Sequence, residues 1–153
     1  MSDRISEHFT WDEATTTDQR DPGSGLLVEN DPGPLQRRAL EHTFAKMEEL
    51  RSILVDRVVV IHSAYRSPLV NTLVGWSPRS QHMRGEAVDF HVIGLTVAEV
   101  FDRLRSTLLD YDQLIEEART WVHVSFVEES RVPRRQALRM RVVDGVAKYE
   151  AVA

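Results

Sequence analysis

Two short segments of the sequence alternate between apolar and polar residues and therefore predict two β-strands. The first reads AVDFHV over residues 87–92, and the second reads WVHVSF over residues 121–126. In each segment every second residue is apolar and would face a hydrophobic core. The opposite face then carries Asp89 and His91 in the first segment and His123 in the second. The pattern predicts a sheet with one buried face and one face that bears metal-binding or catalytic groups.

A third candidate ligand, His82, precedes the first strand in a loop rich in Ser, Gln, Arg and Gly. If the two strands are neighbours, His82, Asp89 and His123 can converge. Two imidazoles and one carboxylate with an open fourth position are typical of a catalytic zinc site. A structural zinc site usually has four ligands, commonly thiolates, and this chain has no cysteine. The alternative is that each histidine is an ordinary packed or surface residue, and spacing alone does not decide between these interpretations.

Length and charge restrict the class of protein. The 153 residues correspond to one ordinary domain over residues 1–153, and nothing indicates an obligate oligomer. The net charge of −5 gives no reason to expect nucleic acid or an anionic membrane as a partner. No segment is long and apolar enough for membrane insertion, and the N-terminus lacks the apolar region of a signal peptide. We therefore expect a protein synthesised in the cytoplasm that reaches any target outside the cell only after release.

Helices are predicted from apolar periodicity and from capping signals. Residues 35–55 form the clearest helix, because apolar residues recur there at spacings of three and four. This stripe comprises Leu40, Phe44, Met47, Leu50 and Leu54. A Thr followed three residues later by Glu is a capping box, and it predicts a short helix over 11–16 after Thr10 and another after Thr96.

Further strands are predicted from β-branched runs and turn signals. Residues 58–61 are four β-branched residues and predict a buried strand. Residues 111–127 predict a hairpin that turns at 118–119. A last edge strand is expected within 142–152, with a turn at 144–145, and the basic stretch before it is most simply a solvated surface.

The region between the first strand and His82 carries two further candidates. Arg66 follows the strand end, where a guanidinium could hold a substrate carboxylate, although a plain surface arginine is the alternative. Residues 69–81 are predicted as a loop with room for one helical turn. Trp76 in this loop could form the wall of a binding groove or cover the core.

Four sequence segments follow one another along the chain: SAYRSPLVN, SQHMRGEAVDF, YDQLI with a Glu shortly after it, and WVHVSF. The signature S-x-H-x-x-G-x-A-x-D is met in full by Ser80, His82, Gly85, Ala87 and Asp89. Over residues 60–127 the chain thereby resembles the zinc D-alanyl-D-alanine carboxypeptidase family. Relatives of that family include phage L-alanyl-D-glutamate endopeptidases, D-Ala-D-Ala dipeptidases and the N-terminal domain of hedgehog proteins. The segments ISEHFT and RRQAL also resemble compact members found in phages.

The resemblance implies a role for each matching residue. The zinc ligands would be His82, Asp89 and His123. Arg66 would grip the carboxylate of the peptide or polarise its carbonyl, and Ser80 and Gln81 would line the site. His91 would not be a ligand. Substrates of the family are peptidoglycan stem peptides, which are cut at D-Ala-D-Ala or L-Ala-D-Glu bonds.

The resemblance leaves the general base open. Many members have an acid three residues before the last histidine, and that position is Thr120 here. Compact members have a Glu after the DQLI string, which is Glu117, with Glu116 beside it. Strand alternation does not choose between the two glutamates, because the choice depends on where the hairpin turns. We assign the base to Glu117 on the resemblance, and the alternative is that both are solvated charges.

Together these observations predict an α+β fold with a central antiparallel sheet, helices packed on one face and one zinc ion in a cleft. We expect a zinc peptidase that hydrolyses stem-peptide bonds, either on the cell wall after release or as part of a virion. The alternative is a domain of the same fold that binds peptidoglycan without cutting it, or a structural component of a phage particle. The sequence does not distinguish a carboxypeptidase from an endopeptidase.

Overall fold

The computed structural model describes residues 3–75 and 77–153, and Trp76, the candidate groove residue, lies outside the described residues. The elements are α1 (Trp11–Thr15), α2 (Pro34–Ile53), β1 (Val59–Ser63), α3 (Pro68–Val74), a 3₁₀ helix (Gln81–Arg84), β2 (Ala87–Val92), α4 (Val97–Arg105), β3 (Gln113–Glu117), β4 (Trp121–Ser125), β5 (Gln136–Val143) and β6 (Val146–Ala151). Among the helices described, none is both long enough and apolar enough to cross a membrane.

The six strands form one sheet in the order β1-β2-β4-β3-β5-β6. Neighbouring strands are antiparallel except β3 and β5, which run parallel. This exception arises because residues 126–135 carry the chain from the end of β4 back to the start of β3, where β5 begins. The predicted α+β fold is confirmed, and the sheet is mixed rather than antiparallel throughout.

One face of the sheet is apolar and lies under α2 and α4. Val88 and Phe90 of β2 and Val122 and Val124 of β4 are fully buried in this core. The predicted stripe of α2 is buried against it and consists of Leu40, Phe44, Met47, Leu50 and Leu54. From α4 the core receives Val100, Phe101 and Leu104. Because the apolar residues alternate along the strands, the opposite face is left for polar side chains.

The two short helices α1 and α4 begin at the predicted capping boxes. The hydroxyl oxygen of Thr10 accepts a hydrogen bond from the backbone N–H of Glu13, whose carboxylate accepts one from the backbone N–H of Thr10. Thr96 and Glu99 form the same reciprocal pair at α4. Each box satisfies two amide groups that a helix start would otherwise leave unpaired.

The hairpin turns also lie where the sequence predicted them. Ala118 and Arg119 have φ values of 49° and 60° between β3 and β4, and Asp144 and Gly145 have 52° and 76° between β5 and β6. Two consecutive residues in the left-handed region are typical of the tight turns that join antiparallel strands. The turn at 118–119 determines which side chains of β3 reach the polar face.

The predicted loop over residues 69–81 is wrong in its first half, which forms helix α3. The side chain of Ser67 accepts a hydrogen bond from the backbone N–H of Val70, Pro68 occupies the first turn, and Gly75 ends the helix at φ 76°. The strand predicted as buried, β1, lies at the edge of the sheet and is only partly buried, because among the described strands only β2 pairs with it.

The basic stretch predicted as a solvated surface is also wrong in part, because it contains most of β5. Ala137 and Met140 of this strand are buried. Its two central arginines, Arg139 and Arg141, pair with the carboxylate of Glu116 at 3.0 and 3.1 Å. The charges of β5 are therefore matched to an inward-facing acid on the neighbouring strand.

Gly85 joins the 3₁₀ helix to β2 and lies directly against α2. Its φ of 75° is in the left-handed region, and a Cβ atom there would lie 2.8 Å from the carbonyl oxygen of Gln36 and 3.1 Å from Leu40 Cγ. The hydroxyl of Thr43 donates a hydrogen bond of 2.7 Å to the carbonyl oxygen of Gly85. Close packing on α2 thus holds the segment that carries His82.

Replacing Gly85 with Ala is expected to destabilise the protein more than replacing Gly75, although both have the same φ. Gly75→Ala meets no atom within 4 Å, so it should lower the free energy of unfolding only by the left-handed strain of about 1–2 kcal/mol. Gly85→Ala should lose a further 1–3 kcal/mol, roughly, through overpacking against α2. Urea denaturation followed by circular dichroism measures both, and equal losses would contradict the packing argument.

Candidate metal centre

Three buried side chains bring their ligand atoms together on the polar face of the sheet. His82, Asp89 and His123 each offer one ligand atom, and these atoms all lie within 4.8 Å of one another. Asp89 and His123 are directly paired residues of β2 and β4. His82 reaches them from the 3₁₀ helix, whose N-cap residue Ser80 accepts a hydrogen bond from the backbone N–H of His82. The structure therefore assembles the three residues that the sequence singled out.

The ring of His82 is held in one orientation and one tautomer. Its Nδ1 lies 2.6 Å from the carbonyl oxygen of Ala64. A carbonyl oxygen can only accept, so Nδ1 carries the proton and Nε2 is the nitrogen with a free lone pair. Nε2 lies 3.3 Å from Asp89 Oδ2. A histidine ligand whose other nitrogen donates to a backbone carbonyl is the usual arrangement in metal sites.

The carboxylate of Asp89 lies at the centre of the group. Its Oδ1 is 2.9 Å from His123 Nδ1, and its Oδ2 accepts a hydrogen bond of 2.9 Å from Arg66 Nη2. Burial alone would raise the pKa of Asp89, but the adjacent rings of His82 and His123 hold that pKa well below its usual range. Asp89 is therefore an anion in the folded protein, as a metal ligand has to be.

The surroundings shift the pKa values of the two histidines in opposite directions. Burial lowers the pKa of His82, which favours the neutral imidazole. Burial would also lower the pKa of His123, but the hydrogen bond to Asp89 and the charge of Asp89 raise it above its ordinary value. Because a metal ligand has to be deprotonated, a proton and a metal ion compete for His123.

The donor set fits a zinc ion. Two imidazole nitrogens and one carboxylate oxygen are ligand types that zinc binds, and three protein ligands leave a fourth position for water or substrate. All three residues are buried. Asp89 accepts a hydrogen bond from Arg66, and His82 donates one to the carbonyl oxygen of Ala64. The backbone carbonyl and guanidinium that support them provide the outer contacts that orient metal ligands.

The two candidate glutamates face opposite sides of the sheet. Glu117 is paired with Trp121 in the hairpin, and Ile115, two residues earlier, is paired with His123, so Glu117 shares the polar face. Its Oε1 lies 3.9 Å from His123 Nδ1. Glu116 is paired with Val122 and is bound to Arg139 and Arg141 instead. Only Glu117 of this pair lies beside the His-Asp-His group.

Glu117 is oriented by a neighbouring tryptophan. Trp121 Nε1 donates a hydrogen bond of 2.7 Å to Glu117 Oε2, so Oε1 is the oxygen nearer to His123. Burial and then the negative charge of Asp89 raise the pKa of Glu117 above its ordinary value. Thr120, the other position considered for an acid, lies exposed in the hairpin turn and donates to the carbonyl oxygen of Ala118.

Arg66 is part of the buried group. Besides its contact with Asp89, its Nε donates a hydrogen bond of 3.1 Å to the hydroxyl of Ser63, and its own backbone N–H donates to the carbonyl oxygen of His82. The residue is only 6% exposed. Arg66 therefore links the end of β1 to both β2 and the 3₁₀ helix.

A second polar network, which sequence reasoning missed, supports Gln81. The amide of Gln81 donates to Asp112 Oδ2 at 3.1 Å and accepts from Arg134 Nη2 at 3.4 Å. Arg134 also binds both oxygens of Asp112. Burial would raise the pKa of Asp112, but the hydrogen bonds from Arg134 lower it. No local sequence signal joins these residues, since they are brought together by the chain crossing from β4 to β5.

Two cavities are lined in part by residues of the His-Asp-His group. The first, about 570 Å³, is lined by Ser80, Gln81, Glu117 and His123 and by residues of the C-terminal segment. The second, about 410 Å³, is lined by Arg66, Asp89 and Trp121 and by residues 16–19. His123 lines the first cavity and Asp89 lines the second, so each cavity reaches a member of the His-Asp-His group. A larger depression of about 1050 Å³ is lined by none of these groups.

A further pair of histidines lies on the same face and was not predicted as a pair. His62 Nε2 is 2.7 Å from His91 Nδ1, and the His62 ring lies 5.7 Å from the ring of Trp121. His91 belongs to the polar face, as alternation indicated, but its imidazole contacts His62 rather than the ligand atoms.

The model for the family described as Peptidase M15 matches residues 7–125 of the chain. The matched stretch includes α1 to β4 and ends before β5. A search of curated proteins found no match.

Zinc content should depend on His123 and not on His91, although both lie on the polar face. Wild-type protein purified without chelators should contain about one zinc per chain, because one group of three ligands is assembled among the described residues. His123→Ala should lose most of that zinc, and His91→Ala should retain it. Elemental analysis by mass spectrometry after dialysis gives the ratio. A wild type that stays free of zinc when zinc is supplied would contradict the site, as would equal zinc in the two variants.

Proposed function

Since this chain belongs to the Peptidase M15 family, whose members are zinc-dependent peptidases, we propose that it hydrolyses peptide bonds in the stem peptides of peptidoglycan. The observation that carries the proposal is a buried His-Asp-His group with the carboxylate of Glu117 beside it. Two cavities, of about 570 and 410 Å³, reach members of this group and provide room for a peptide.

His82, Asp89 and His123 would hold the zinc ion. When bound there, zinc lowers the pKa of water and polarises a carbonyl, which supplies the nucleophile and the electrophile of peptide hydrolysis. The protein's contribution is to keep the three ligands in place: Ala64 orients the ring of His82, and Arg66 orients the carboxylate of Asp89.

Glu117 would act as the general base and then as the general acid. Its Oε1 would take a proton from the attacking water, and the same oxygen would give that proton to the amine that leaves. Trp121 binds the other oxygen, so the reactive oxygen is kept on the side of His123. A carboxyl whose pKa is raised by burial shares a proton more evenly with water and amine near neutral pH, as general acid–base catalysis requires.

Arg66, Ser80 and Gln81 would position the substrate. Arg66 lines the cavity that contains Asp89, where a guanidinium can contact a carbonyl or carboxylate oxygen of the peptide. Ser80 and Gln81 line the cavity that contains Glu117, and Gln81 is held by Asp112. Residues from both cavities thus flank the scissile bond in this proposal.

Replacing Glu117 with Gln should leave zinc bound but remove most turnover. The amide keeps the size of the side chain but cannot accept the proton, so kcat should fall by about 10²–10⁴-fold. Glu116→Gln is the matched control, because Glu116 faces the other side of the sheet and its loss should lower stability more than turnover. Zinc content and the rate of stem-peptide cleavage are measured on each folded variant.

Digestion of purified cell walls tests the function itself. The zinc-loaded wild type should release stem-peptide fragments, and mass spectrometry of their ends identifies the bond that is cut. Binding to the walls without release of fragments would favour a non-catalytic peptidoglycan-binding domain. Undiminished cleavage by Glu117→Gln would remove Glu117 as the base and leave the family assignment in place.

A further inference from the structure

We propose that the cavity beside Glu117 contains a subsite for a carboxylate group of the substrate peptide, formed by Arg79, Arg84 and Arg131. We call these three residues the basic rim. The inference rests on the proposed function, and it adds that the protein selects acidic stem peptides over their amidated forms. All three arginines line the cavity that also contains Glu117 and His123, so a ligand bound there lies next to the reacting groups.

The rim carries more positive than negative charge. Arg84 Nε lies 2.6 Å from Glu86 Oε1, and Arg131 Nη1 lies 3.0 Å from Glu86 Oε2. Two guanidinium groups therefore share a single carboxylate. Glu86 is buried, whereas the side chains of Arg84 and Arg131 are about half exposed. The partly neutralised guanidinium groups of Arg84 and Arg131 thus lie on the solvent side of Glu86, where a ligand can reach them.

Arg79 adds a further positive charge at the start of the 3₁₀ helix. Among residues 3–75 and 77–153 its guanidinium forms no ion pair, and its backbone carbonyl accepts a hydrogen bond from Arg84 Nη1. Arg134, which lines the same cavity, differs because Asp112 binds it through both oxygens. The unmatched charge is therefore at Arg79 and at the pair that shares Glu86.

This concentration of charge stands out in an acidic protein. The chain has a net charge of −5, so a positive rim beside the reacting groups is not a consequence of overall composition. Guanidinium groups bind carboxylates through paired, charge-assisted hydrogen bonds. Among the carboxylates of a stem peptide, the α-carboxylate of the D-glutamyl residue is the one that is present in the free acid and absent when that residue is amidated. The rim therefore fits the free acid.

The test uses two stem peptides that differ only in whether the D-glutamyl α-carboxylate is free or amidated. Zinc-loaded wild type should cleave the free acid with a lower KM and a similar kcat. Arg79→Gln should raise the KM for the acid by about three- to tenfold, as expected for one charge-assisted contact, and should hardly change the KM for the amide. Arg103→Gln is the matched control, since it removes the same charge from the exposed surface of α4.

Binding without turnover separates this inference from the peptidase proposal. The dissociation constants of both peptides are measured by calorimetry on zinc-loaded Glu117→Gln protein, with and without Arg79→Gln. Tighter binding of the acid that is lost in the double variant supports the subsite, even if the wild type cleaves neither peptide.

Three results would overturn the subsite. They are equal binding of the two peptides, no binding of either peptide, and an equal effect of Arg79→Gln on both. Cleavage of both peptides at equal rates would leave the peptidase proposal standing without the subsite. Arg131→Gln is the second variant, because it allows Glu86 to neutralise Arg84 fully and should also weaken the preference for the acid.

Discussion

The buried carboxylate of Asp89 is the constraint on which the rest of the site depends. A charge that is only 2% exposed is costly unless other groups compensate it. Here the compensation comes from Arg66 after β1 and from His123 on β4. Each of these groups belongs to a different element, so the elements have to be placed correctly around Asp89 before its burial becomes favourable. The same arrangement leaves the ligand atoms close enough to share one metal ion.

The parts of the structure that follow from local rules could be predicted from the sequence. Alternation in β2 and β4 assigned Asp89 and His123 to one face because side chains in a strand change face at every residue. The capping boxes at Thr10 and Thr96 and the turn at 118–119 are likewise short-range patterns. Helix α3 was predicted only as room for one helical turn within a loop, although Ser67 and Pro68 form a recognisable start, because its seven residues show little apolar periodicity.

The remaining features depend on contacts between distant segments. The choice between Glu116 and Glu117 needed the register of the hairpin, since a shift by one residue exchanges their faces. Most of strand β5 was not predicted, because a stretch rich in arginine is typical of a solvated surface. The structure shows that Arg139 and Arg141 pair with Glu116 on the neighbouring strand. The network of Gln81, Asp112 and Arg134 joins residues far apart in the chain and has no local signature.

The register of the sheet places residues from two parts of the chain around Glu117, one inside and one outside the stretch that matches the family model. The metal-binding group and Glu117 lie within the stretch that matches the family model. Strands β5 and β6 lie outside that stretch. Glu117 is paired with Met140 of β5, and Met140 is paired with Tyr149 of β6, so the three side chains form one row on the same face of the sheet. Tyr149 lines the same cavity as Glu117, together with Arg131 and Arg134. Because β5 and β6 contribute no ligand to the His-Asp-His group, changes in these strands can alter the wall of the cavity that holds the peptide in the proposed function, while the ligand atoms keep their positions. The polar face of β2, β3 and β4 would then determine the reaction, and the C-terminal segment would determine which peptide is accepted.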